Sequence, residues 1–178
     1  GAAGSGGAAG GGDAPKQELV THAFELIAKG IEHLNRLELS EAHAAFDLAA
    51  HTAKANNDPL GEARAVGNLA NVLARQEKHA EAIEVYKRAL ASFRELGDDR
   101  REWTLLFNMA LSYTKMKDYA AAAEAMARKI ELLQRAGEGH EAELKDAEQW
   151  AAKFERHARK HAAEAVSAGG AGGGGGGD

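Results

Sequence analysis

The sequence predicts an all-α protein, a stacked array of helix hairpins closed by one further helix. Three observations lead there. The 178 residues are rich in Ala, Leu, Glu, Lys and Arg and hold only 2 prolines, a composition that favours helix throughout. Apolar residues recur at spacings of three and four, the period of one helical face, and no run alternates as a strand would. One stretch, from Ala63 to Asp99, is matched on both sides at a fixed distance of 40 residues.

In chain order, residues 1–12 and 167–178 are Gly/Ala/Ser tracts without an apolar pattern, expected to be disordered tails around a domain at 13–166. Asp13-Ala14-Pro15 marks a helix start, with Asp13 as N-cap and Pro15 in the first turn. That helix runs to about Asn35 and turns Leu26, Gly30 and His33 inward. A turn through Leu37 to Ser40 leads into the second helix, with Ala42, Phe46, Ala49 and Ala50 on its inner face. Asn57-Asp58-Pro59 ends it, Asp58 capping the third helix and Pro59 opening it. The third helix buries Val66, Leu69, Ala70 and Leu73; Gln76-Glu77-Lys78 is a tight polar reversal; the fourth buries Ala82, Tyr86, Ala89 and Leu90. Gly97 supplies a left-handed stop, and Asp99 with Glu102 is expected to form a capping box for the fifth helix. Leu106, Met109, Ala110 and Tyr113 are its core face, and Asp118-Tyr119 turns into a sixth helix carrying Ala122, Met126 and Ile130. Gly137-Glu138-Gly139 breaks the sixth. The seventh, at 139–166, aligns Leu144, Ala147, Trp150 and Phe154 and has no helix after it, as a cap on a stacked array requires.

At the 40-residue period Gly30, Ala70 and Ala110 coincide, as do Ala42, Ala82 and Ala122, then Phe46, Tyr86 and Met126. Small residues let two backbones cross closely, and a bulky side chain one turn later fills the space beside the crossing. A small residue amid the first helix, with Ala and then an aromatic four residues on in the second, resembles the tetratricopeptide repeat over roughly residues 23–136. Repeats fall at about 23–58, 59–98 and 99–138. The long period, with RELGDDRRE and GEARAVGNLANVL, resembles the extended repeats of the Pins/LGN scaffolds and of kinesin light chains. The closing proline is missing, and Lys129 stands where the earlier repeats have Ala49 and Ala89. The resemblance implies a right-handed α-solenoid of three hairpins plus the C-terminal capping helix. The first helix of each pair then lines a concave groove for a protein partner.

In that frame the third helix offers Arg64, Asn68, Asn71 and Arg75 to the groove. The fifth offers Thr104, Asn108, Leu111 and Lys115, and the first offers Phe24, Ile27, Ile31 and Asn35. Asn amides bind a peptide backbone and Arg forks carboxylates, so the expected ligand is a peptide with acidic and apolar residues. Family members that hold a chaperone's C-terminal carboxylate use Lys and Asn on the first helix, Asn on the third, and Lys and Arg on the fifth. Here Ile27, Ile31, Thr104 and Asn108 take those places and Asn68 alone matches, which argues against a chaperone tail.

Other functions lose ground on composition. There is no cysteine for disulfides, thiolate metal sites or thiol catalysis. A formal net charge of −5 argues against nucleic acid, and no apolar run is long enough for a membrane span. His157 and His161 lie one turn apart, but Arg156, Arg159 and Lys160 around them repel a cation, so no metal is expected. No phosphate loop, nucleophile elbow or zinc-helix motif occurs, and the expectation is a cytoplasmic, non-enzymatic adaptor without a cofactor. The alternative is a structural subunit fixed in a larger assembly through its convex faces and tails. If a Met preceded Gly1, the N-terminus would fit the myristoylation pattern, with Gly1 as acceptor and the only route to a membrane.

Overall fold

The computed structural model describes residues 14–170, with side chains described for 22–167. Within them the chain forms seven helices and no strand: α1 Ala14–Asn35, α2 Leu39–Ala55, α3 Pro59–Arg75, α4 His79–Leu96, α5 Asp99–Lys115, α6 Tyr119–Ala136 and α7 Glu141–Gly170. Each helix packs on its neighbours in sequence, and α3 also touches α1 and α5. Asp13 and the tracts 1–12 and 171–178, Gly1 included, lie outside the described residues. α7 continues to Gly170, through the first residues of the expected C-terminal tail.

The turns explain the period. Leu37, Asn57, Glu77, Gly97, Lys117 and Gly137 all have positive φ, between 54° and 79°, and they stand 20 residues apart. The first five close in one way. At Lys117, its N–H donates to Thr114 O at 3.0 Å and the Asp118 N–H to Tyr113 O at 2.9 Å, which satisfies two of the carbonyls that a helix end leaves open. Helix starts are secured by Asp58, Asp98 and Asp118, whose carboxylates accept from the N–H of Gly61, Arg101 and Ala121 at 2.9, 3.1 and 3.0 Å.

The expected capping box at Asp99 and Glu102 does not form. Asp98 is the cap. Glu102 is 1% exposed and accepts from Arg94 Nε of α4 at 2.7 Å and Arg128 Nε of α6 at 3.1 Å. Two guanidiniums satisfy a buried carboxylate better than one backbone N–H, and the hydrogen bond to Glu102 raises the pKa of Arg128.

The core follows the repeat. Ala42, Ala82 and Ala122 are each 0% exposed, and Phe46, Tyr86 and Met126 are buried beside them. At Gly30 a Cβ would sit 2.5 Å from Phe46 Cε1, so the smallest residue faces the bulky ring of the first pair. Ala147, Ala151 and Phe154 of α7 join the same apolar cluster as α3 to α6. Trp150 meets Phe107 of α5 edge-on at 5.6 Å. His33 is satisfied by Glu38 at 2.6 Å. His157 and His161 both pack on the Tyr119 ring, with centroids at 5.2 and 5.9 Å. No cluster of three His, Cys, Asp or Glu that could hold a metal occurs among the described residues, and no helix there is long and apolar enough to cross a membrane.

Candidate binding groove on helices α1, α3 and α5

Helices α1, α3 and α5 lie side by side, and the polar stripe of α3 is central among them. Its middle is an amide network. Asn68 Nδ2 donates to Arg64 O at 3.0 Å, and Asn71 Nδ2 to Asn68 Oδ1 at 3.4 Å. Asn71 Oδ1 accepts from the Tyr86 hydroxyl at 2.7 Å and from Asn108 Nδ2 at 2.9 Å. Burial pushes the Tyr86 phenol far above its ordinary pKa, against a smaller effect of Arg75. The expectation that both α3 amides stand free for a ligand therefore needs correction. Asn71 is spent tying α3 to α4 and α5, because a buried hydroxyl without a partner is costly.

The Asn71–Asn108 bridge lies between two cavities, and both residues line each of them. One cavity of about 370 Å³ is bounded by Arg64, Asn68, Arg100, Arg101 and Thr104. The other, about 450 Å³, is bounded by Leu34, Arg75, Leu111 and Lys115. Asp98 is the one carboxylate lining either, and it already pairs with Arg101. The Arg64 guanidinium sits 5.2 Å from the Phe24 ring centroid, partly buried. Burial first, then Arg101, push its pKa down, while Asp58 and Asp98 oppose. Arg64, Arg75, Arg100 and Lys115 have no ion-pair partner among the described residues.

Several expected groove residues are exposed or lining: Phe24 and Ile31 are 55% and 40% exposed, and Thr104 lines the first cavity with its hydroxyl donating to Arg100 O at 2.9 Å. Asn35 is exposed at the end of α1 and lines neither cavity. Ile27 is corrected: it is 2% exposed, in one apolar cluster with Phe46 and Ala65, because α1 turns that position toward its neighbours. Arg100, Arg101 and Leu34 were not expected. A signal for the arginines existed, since two cations in the first turn of a helix oppose its dipole and helix propensity does not ask for them.

Residues 61–135 match the family model described as Tetratricopeptide repeat. No curated protein matches the sequence. Among solved structures, BtubC (BKLC) from P. vanneervenii is similar with a TM-score of 0.70 at 18% identity, over 88% of this chain and 67% of that one. The TPR domain of Arabidopsis FLU gives 0.60 at 26% identity, over 68% of this chain and 99% of its own. The N-terminal domain of stress-induced protein-1 (STI-1) from C. elegans gives 0.56 at 18% identity, over 73% and 97%. At 18% identity the likenesses to BtubC and to STI-1 show the fold alone.

Proposed function

Residues 61–135 are tetratricopeptide repeats, and from that premise we propose that the chain is a non-enzymatic interaction scaffold that holds a partner peptide along α1, α3 and α5. The observation that carries this reading is charge segregation. The chain has a formal net charge of −5, yet the groove gathers Arg64, Arg75, Arg100, Arg101 and Lys115 against a single carboxylate that is already paired. Acidic side chains of a partner complement those cations, and Phe24, Ile31 and Leu111, all exposed, accept its apolar ones. Asn108 Oδ1, which accepts no hydrogen bond among the described residues, is available to a peptide N–H. The 40-residue period is what the chain shares with the extended repeats of the Pins/LGN and kinesin-light-chain scaffolds.

The test is a calorimetric titration of a peptide from a captured partner against three proteins: the wild type, Arg75→Ala with Lys115→Ala, and Glu84→Ala, on an even-numbered helix outside the groove. The double change weakens binding roughly tenfold, more at low salt, and Glu84→Ala leaves it unchanged. Equal affinities for all three would put the structural-subunit alternative in front.

A further inference from the structure

We infer that the compartment between α3 and the first turn of α5 receives a phosphorylated side chain of the partner segment, so that phosphorylation switches binding on. This rests on the groove reading above and adds a ligand chemistry to one part of it. Formal charge in the cavity wall is that of Arg64, Arg100 and Arg101 less Asp98, which is +2. A phosphomonoester carries about −1.5 to −2 near neutral pH, whereas a carboxylate neutralises half of that wall.

The local carboxylates are already committed. Asp98 caps α5 and pairs with Arg101, Asp99 is bound by Arg135 at 2.6 Å, and Glu102 is held between Arg94 and Arg128. Arg64 and Arg100 have no such partner among the described residues, although Arg64 is partly buried and lies against the charge of Arg101. Two guanidiniums from different helices around one cavity match an anion with three acceptor oxygens. Arg64 is held against the Phe24 ring, which fixes its position before a ligand arrives. The volume of about 370 Å³ admits a phosphorylated side chain.

The experiment follows the arginine Nε–H signals of the full chain by NMR during titration. The probes are a phosphoserine pentapeptide, its serine and aspartate counterparts, inorganic phosphate, and phosphatidylcholine vesicles containing a phosphoinositide. The phosphoserine peptide shifts Arg64 and Arg100 and binds roughly tenfold tighter than the aspartate peptide. Arg100→Gln, at an exposed position without an internal partner, removes that preference and leaves the rest of the spectrum in place. No histidine lines the cavity, and the acidic groups facing Arg64 from neighbouring turns are Asp58 and Asp98. The preference therefore falls as the phosphate takes up a proton below about pH 6.

Equal binding of the phosphoserine and aspartate peptides overturns the inference and leaves a groove for carboxylates. So does an unchanged preference in Arg100→Gln. Inorganic phosphate binding as tightly as the peptide, or vesicles competing with it, overturns the peptide source. The groove reading is judged separately, by Arg75 and Lys115.

Discussion

Asn71 carries more of the structure than its place on a surface stripe suggests, because one carboxamide oxygen receives both the Tyr86 hydroxyl and the Asn108 amide. Asn71→Ala leaves the Tyr86 hydroxyl without its acceptor, and the expected cost is about 1–3 kcal/mol in thermal or urea unfolding. Asn68→Ala loses a bond to its own helix backbone and a long contact of 3.4 Å, and its cost stays within about 0.5 kcal/mol. If both variants melt with the wild type, the bridge is not a tertiary tie. The stripe itself was legible in the sequence, because spacing alone puts Arg64, Asn68, Asn71 and Arg75 on one side of a helix. What Asn71 binds was not legible. Tyr86 and Asn108 lie 15 and 37 residues away, and a periodic pattern reports faces rather than partners. Glu102 teaches the same lesson, since the acidic residue three after Asp99 reads as a capping box until Arg94 and Arg128 are seen to converge on it.

At the level of helices and turns, the chain pulses every 20 residues, and the turns differ in how well their residues suit them. Gly97 and Gly137 adopt positive φ without steric penalty, and Asn57 tolerates it. Leu37, Glu77 and Lys117 do not. Polarity and shortness mark the reversal at Gln76-Glu77-Lys78, but none of Leu37, Glu77 and Lys117 is a residue that announces a left-handed backbone, so their conformation is not legible in the sequence. A side chain there costs about 1–2 kcal/mol, of which the greater unfolded freedom of glycine returns about half. Glu77→Gly and Lys117→Gly are therefore expected to stabilise by about 0.5–1 kcal/mol each, while Gly97→Ala destabilises by about 1 kcal/mol. Urea midpoints at constant slope provide the check. A loss of stability in both glycine variants would mean that these side chains contribute contacts worth more than the strain.

Across the whole molecule, the question is what ends the stack. Each inner helix has neighbours on two sides, whereas α7 covers α6 and is followed by no further described helix. Its apolar stripe was plain in the sequence, and Ala147, Ala151 and Phe154 are indeed buried. Its long aromatic contact with α5 was not plain: Trp150 reaches Phe107 at 5.6 Å, and Lys129 stands 5.1 Å from the same Phe107 ring on the α6 side. Burial pushes the Lys129 pKa down, while Glu143 and Asp146 of α7 oppose that shift. Removing residues from Gly139 onward would then uncover Phe107 and the outer face of α6, and strip Lys129 of both carboxylates. Burial of Phe154 alone contributes about 1.5–3 kcal/mol, so the loss with its neighbours is a large share of a marginal stability. The shortened chain is expected to melt at a lower temperature and to self-associate through the exposed face, as sedimentation and thermal unfolding would report. The groove cavities are lined from α1, α3, α4 and α5 without α7, so binding by any folded fraction should survive. A shortened chain that stays monomeric and melts unchanged would show that α7 is no cap, and its Trp150 and Phe154 face would become the next surface to test for a partner.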